Sequence, residues 1–354
     1  MDPSGLASEN AVLSETSVQV ESADLDAQTL SDGAGVKTVS KSPLRIALGR
    51  LRRDKVAMIC LGIFIFFVLI AIFAPLLVKL EGQNSTLVAS DTDFNFSLSN
   101  RLTTLPLIGL TSDHWFGVTP RTGQDVFGHW VYGARPSLIV ASSVTVITTI
   151  LGVVVGLTAG FLGGWVDRIL SWIIDFFLSV PYLLFAIAVP AVLIFVFVKG
   201  GPDAAAPSQV ATIRFASLIT VLSLFGWSGL ARLIRSQVLS LREREFVQAA
   251  KVLGVPTRKI LFKELLPNLV APIIVSASLM LPALISAEAT LSFLGVGLIE
   301  PTSSWGIMIN QAQNYYQTDA SYFWIPVAGI VLLVLALSLL GDAIRDAFDP
   351  KTRR

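Results

Sequence analysis

Apolar residues run almost unbroken over 57–77, 137–161, 169–198, 215–231, 269–285 and 323–340, with polar and turn-forming residues gathered between the runs. A helix crosses ~30 Å of hydrocarbon with roughly 20 mostly apolar residues, because its backbone hydrogen bonds must then be made within the segment itself. The pattern predicts an all-α integral membrane protein with six transmembrane helices. The third run is longer than a bilayer requires and contains Pro181 and Pro190, which predicts a kinked or tilted helix that emerges beyond the membrane.

The polar segments divide the chain. Residues 1–43 form a tail expected to be disordered and cytoplasmic: its first 42 residues hold seven acids, two lysines and no aromatic residue, too little apolar surface to offset chain entropy. Residues 44–80 supply a basic segment and the first span, expected to stay as an anchor because no apolar run stands earlier, where a cleavable signal would lie. Residues 81–136 make an extracytoplasmic loop, either a small cap or an irregular connection. Residues 137–341 carry spans two to six, with an inner loop over 232–267, and 342–354 form a C-terminal tail. An even number of spans puts both termini on one side. Lysine and arginine number 20 on that side and 6 on the other, so the positive-inside rule predicts cytoplasmic termini and a cytoplasmic 232–267 loop.

Composition strengthens this picture and removes several alternatives. With 53% hydrophobic and 14% charged residues and a mean hydropathy of +0.70, the chain has more apolar surface than a soluble domain can hide, so the lipid bilayer is its first partner. No basic, aromatic-interleaved domain suggests nucleic acid. Cys60, the one cysteine, lies within an apolar run and reads as core filler, which excludes a disulfide within the chain. His114 and His129 have no cysteine beside them and read as surface residues rather than as metal ligands. No G-x-x-x-x-G-K-[ST] stretch is present to cradle a nucleotide, so the chain is not expected to be an enzyme or to bind a cofactor.

The 232–267 loop is the most informative segment. Good helix formers follow Ser240 and end at Gly254, suited to a left-handed helix cap, and Pro256 opens a second short helix that leads through Leu266 and Pro267 into the fifth span. A helix-turn-helix is expected, with Phe246, Ala249, Ala250 and Leu253 on one apolar face of its first helix. A basic amphipathic helix at a membrane surface serves equally as a lipid anchor, and periodicity alone does not choose.

The residue order does. Glu245-Phe246-Val-Gln248-Ala249-Ala250-Lys-Val-Leu-Gly254, followed after nine residues by Glu264-Leu-Leu266-Pro267, resembles the Glu-Ala-Ala coupling loop of membrane subunits in binding-protein-dependent ABC importers. Gln248 and Glu264 depart from the broad consensus, as the peptide and nickel branch of that family allows. Gly123-Gln-Asp-Val-Phe with Tyr132-Gly-Ala-Arg135, the stretch from Ser286 to Gly297, Ser304-Trp-Gly306 and the stretch from Gly341 to Pro350 resemble the second permease type of that branch, and the resemblance spans residues 44–350. It implies a prokaryotic cell-membrane permease for dipeptides or oligopeptides. It implies a homologous permease, one or two ATPase subunits holding ATP and magnesium, and an extracytoplasmic substrate-binding protein as partners. Nickel, glutathione or another small solute remain open as cargo, and an ATP-independent transporter or channel is the rival class.

Charges at membrane depth are costly and mark candidates for function. Asp175 lies about two turns into the third span on the same face as Arg168, and is expected to pair with that arginine, reach the interface, or face the partner permease. Glu288 is expected near the outer end of the fifth span, where it need not be deeply buried, either opening a short helix that closes the pathway mouth or serving as a cap or subunit contact. With Ser292 and Phe293 these two acids are the candidates for the translocation pathway or its gate.

Overall fold

The computed structural model describes residues 43–82, 114–119, 124–198, 206–317 and 319–349. The acidic tail, the greater part of the 81–112 insert and Gly123 lie outside the described residues. Ten helices carry the fold: α1 Pro43–Leu51, α2 Lys55–Leu80, α3 Val126–Leu162, α4 Gly164–Ser179, α5 Tyr182–Phe197, α6 Pro207–Leu241, α7 Glu245–Val252, α8 Thr257–Phe293, α9 Trp305–Ala312 and α10 Ala320–Phe348. Five of them, α2, α3, α6, α8 and α10, are long and apolar enough to cross a membrane. The pair α4 and α5 makes a sixth span if counted together.

That third span is broken rather than kinked. Its halves meet at 85°, at Val180, whose extended backbone is the conformation a following proline imposes. Pro190, by contrast, sits inside α5 without ending it. The other spans overrun the apolar runs that predicted them, because polar caps and not the limits of the hydrocarbon set the helix ends. Asp54 accepts from the amides of Val56 and Ala57, Asp125 from Gly128, and Asp319 from Tyr322. As a result α3 begins within the segment expected to be an outer loop, α8 extends well beyond 269–285 at both ends, and the expected C-terminal tail is helical as far as Phe348.

The densest contact joins α3 to α6. Gly152, Gly156 and Gly160 stand four apart on one face of α3, and α6 lies directly over them. A Cβ on Gly156 would come within 2.7 Å of the Ala231 carbonyl oxygen, and one on Gly160 within 2.7 Å of Val238. Helices in lipid gain little from excluding water and depend on such close backbone approach. Around this pair α8 packs on α3 and α10, and α2 packs on α3 and α10. Cys60 is buried with Ala57, Ala336 and Leu340, the core-filling role its sequence context suggests.

The bundle has two ends. At one, α7 and the α3, α6 and α10 C-termini gather; at the other lie the α2 C-terminus, the α3 N-terminus and α9. At this second end residues 114–119 lie against the start of α3. Val118 bridges Asp125, and Phe116 and Trp115 pack their rings on Phe127 at 5.1 and 4.9 Å. Neither histidine is the surface residue expected from sequence: His129 is buried, and His114 lies 3.2 Å from the Asp125 carboxylate.

Candidate functional site

At the first end the chain turns sharply twice. α7 ends at Gly254, whose φ of +70° is the left-handed conformation expected of it, and the Val255 amide reaches back to the Ala250 carbonyl to close the turn. The second helix then widens. Over Ile260–Leu265 it is a π turn, with the Leu266 amide bonded to Leu261, immediately before Pro267, which has no N–H to continue an α pattern.

This helix-turn-helix is fixed to the bundle from within. Val247, Ile260 and Leu265 are buried with Ile234 and Val238 of α6, and Ala250 and Leu266 pack against them. Gln248 donates to the Arg242 carbonyl at 2.9 Å, Arg242 donates to Gly160 at 3.2 Å, and Lys251 stands 5.3 Å above the Phe161 ring. What faces outward differs from the face read off the sequence. Ala250 belongs to the inner side. Glu245, Phe246 and Ala249 are exposed, and Val252 and Leu253 are 87% and 80% exposed at the tip; Lys251, Arg258 and Lys259, near them in sequence, are exposed too. Two nearly naked apolar side chains thus stand at the end of a turn that is packed against the bundle from behind.

The second candidate site is at the opposite end. Glu288 is completely buried, five residues short of the α8 C-terminus, and it opens no new helix; the short helix α9 begins at Trp305. Its carboxylate accepts from three hydroxyls: Ser137 of α3 at 2.5 Å, and Ser292 of α8 and Ser304 at 2.8 Å each. Both of the latter serines also accept, Ser292 from the Leu298 amide and Ser304 from Gly306 as the α9 N-cap. Phe293 contributes its carbonyl, which accepts from Asn310 of α9 at 2.7 Å. Gly306 permits the close fit, since a Cβ there would meet the Ala289 carbonyl at 2.4 Å. The buried Trp305 donates to the Trp130 carbonyl and packs beside Phe67. Glu288, Ser292 and Phe293 therefore act together, as a clasp that seats α9 across the ends of α3 and α8. Ser304 stood in the quoted Ser304-Trp-Gly306 stretch without a role, and Ser137 was signalled only by being a small hydroxyl residue at the start of an apolar run.

Asp175 is not part of this group. It lies in the half of the bundle nearer α7 and pairs with Arg232 of α6; Arg168, its expected partner, instead covers the Trp165 ring. About two helical turns earlier, Asp167 takes Arg235 in a two-pronged pair, with Nη2 2.8 Å from Oδ2. The Arg232 and Asp175 side chains are 57% and 64% exposed, and exposed pairs contribute about 0–1 kcal/mol. Asp175→Asn is thus expected to leave the melting midpoint of the detergent-solubilised protein close to that of the wild type. A marked fall in the midpoint would instead show that the pair holds α4 against α6.

Comparison with known proteins places these features in context. Residues 152–354 match the family model of the binding-protein-dependent transport system inner membrane component, and residues 42–94 match that of the N-terminal TM domain of oligopeptide transport permease C. The chain is 39% identical to the dipeptide transport system permease protein DppC of Alkalihalophilus pseudofirmus, over 88% of this chain and 91% of that one. It is 33% identical to the oligopeptide transport system permease protein OppC of Bacillus subtilis, over 93% and 96%. Among solved structures, a chain of the MetNI methionine ABC transporter, in an inward-facing crystal form, is similar with a TM-score of 0.47 and 20% identity, covering 62% of this chain and 96% of that one.

Proposed function

The chain belongs to the binding-protein-dependent transport system inner membrane components, and from that premise we infer that it is one of two homologous permeases lining the path of an ATP-driven peptide importer. Relatives named as dipeptide and oligopeptide permeases, matched over nearly their full length, support the peptide as cargo. ATP and magnesium belong to separate ATPase subunits, and an extracytoplasmic binding protein hands over the peptide. The termini and the α7 end face the cytoplasm, in keeping with the charge division along the chain. α9 and residues 114–119 then face outward.

The observation that carries this reading is the exposed tip of the helix-turn-helix, Val252 and Leu253, braced from behind by Val247, Ala250 and Gln248. Nucleotide-driven movement of an ATPase that grips this tip is transmitted through the braced side to α6 and α8 and so to the membrane path. Burying one leucine stabilises a contact by about 1.5–3 kcal/mol, a factor of roughly 10–150 in association. Leu253→Glu is therefore expected to leave the permease in the membrane while ATPase co-purification falls by at least about tenfold, with peptide uptake lost. Gly254→Val tests the turn itself: a Cβ there meets open space, so its effect comes only from forcing a branched residue to positive φ. Normal ATPase binding and coupled uptake in both variants would remove the reading and favour a lipid anchor.

A further inference from the structure

The turn that joins α3 to α4 is a second point of contact for the helix-turn-helix. Gly163 alone separates the two helices, and Gly163 and Gly164 both hold positive φ, at +66° and +59°. Two glycines in succession make this turn a ready pivot. Arg242, the first residue beyond α6, reaches across to it. Its Nη1 donates to the Gly160 carbonyl in the last turn of α3 and would lie 3.2 Å from a Cβ on Gly163. The guanidinium charge also acts on Asp167, in the first turn of α4, which Arg235 grips from α6.

Arg242 is tied as firmly to α7. Its backbone carbonyl accepts from Gln248, and its Nε donates to Glu243, both at 2.9 Å. The second Glu243 oxygen accepts from the same Gln248 amide nitrogen at 3.5 Å. Lys251 makes a parallel contact from α7, over the ring of Phe161 beside Gly160. The position of the guanidinium on the turn therefore depends on where α7 stands.

The helix beyond the turn is lightly packed. Of the described residues of α4 only Ile174 is buried, against Trp227 and Ala231 of α6, while Trp165, Ile169, Trp172 and Phe176 form an exposed stripe. Its remaining ties to α6 are the pairs of Asp167 and Asp175, and at its far end it meets α5 at 85°. A helix with so few buried contacts is displaced more easily than α3 or α6, whose glycine contact leaves no slack.

We propose that Arg242 is the positioning residue through which α7 sets the angle of α4. With the guanidinium on Gly160 and beside Gly163 the turn is pinned, and a shift of α7 that draws Arg242 away lets α4 pivot at the two glycines while α3 and α6 stay together. The proposal rests on the ATP-driven reading and adds to it a second route into the membrane, by way of α4.

The test uses the assembled complex with spin labels at Arg168→Cys on α4 and Leu339→Cys on α10, both exposed positions, in a Cys60→Ser background. The wild-type residue at 242 is compared with Arg242→Met, which keeps the length of the side chain without a donor, and with Arg242→Lys, which restores one. With arginine at 242 the label separation is expected to be narrowly distributed without nucleotide and to shift with ATP and vanadate. In Arg242→Met it is expected to be broad and insensitive to nucleotide, and in Arg242→Lys to keep the shift. Peptide taken up per ATP hydrolysed, with binding protein added, is expected to fall about tenfold or more in Arg242→Met, the usual worth of a hydrogen bond to a charged group. ATPase co-purification is expected to hold, since Val252 and Leu253 are untouched. A full shift in Arg242→Met, no shift with arginine at 242, or the same loss in Arg242→Lys would each overturn the proposal. Labels that shift in a wild-type complex that takes up no peptide count against peptide import and leave the pin standing, whereas intact uptake together with any of those three results rejects the pin alone.

Discussion

Gly156→Leu is expected to separate α3 from α6 and to cost the protein its assembled state. Even the first added carbon would stand 2.7 Å from the Ala231 carbonyl oxygen and equally close to the Ile234 Cβ, both of which belong to a helix held along its length. Neither neighbour is the free end of a flexible side chain, so the helices must move apart. Overpacking of this kind costs about 1–3 kcal/mol when the surroundings can give, and leucine adds three further carbons where they cannot. Thermal unfolding of the detergent-solubilised complex checks this. The expected order of midpoints is wild type, then Gly156→Ala, then Gly156→Leu, with the last recovered in low yield. A leucine variant that melts with the wild type would show that the contact is looser than these distances require.

Glu288→Ala is expected to be nearly as damaging, for the opposite reason. Removing the carboxylate leaves a void and takes the shared acceptor from Ser137, Ser292 and Ser304, which come from three separate parts of the chain. A buried polar group left without a partner costs about 1–3 kcal/mol, and the loss of several such bonds releases α9 from α3 and α8. Glu288→Gln keeps the volume and one acceptor oxygen, while its amide nitrogen can donate to a serine oxygen. That variant is therefore expected to assemble and to retain transport, with Glu288→Ala failing in both. Limited proteolysis of the segment between α8 and α9, combined with uptake, separates the outcomes: equal failure of both variants would mean that the negative charge is what the site needs, and wild-type behaviour of both that the clasp is dispensable.

Local features of this fold were legible in the sequence; the pairings between distant segments were not. Gly254 announced its turn because a glycine after a run of helix formers has a backbone reason to be there. The apolar runs located every span, but said little about where helices end, since that is decided by caps such as Asp54 and Asp125. Pro181 signalled a disturbance without its size. Of the roles left open for Asp175, spacing along one helix suggested pairing with Arg168, whereas the charge that reaches it comes from α6. In the same way periodicity put Ala249 and Ala250 on one face, and only packing shows that Ala250 belongs to the inner side. The Glu288 clasp joins residues 151 positions apart, a distance over which no local pattern carries information. The triplet Gly152, Gly156 and Gly160 is a different case: its spacing of four was visible, but an unbroken apolar run conceals a stripe of glycines unless small residues are counted separately.

The π turn over Ile260–Leu265 has a consequence for how this chain tolerates insertion and deletion. Each residue of an α-helix rotates the remainder of the helix by about 100°, so one residue gained or lost inside a regular helix would swing Glu288 away from its serines. A π turn is a helical turn that has taken in one extra residue and confined the disturbance to itself. Placed between the Gly254 turn and the membrane part of α8, it lets the length of the connecting segment change by one residue while the angular phase of the span is preserved. The sequence between tip and span is thus free to vary in length in a way the span itself is not.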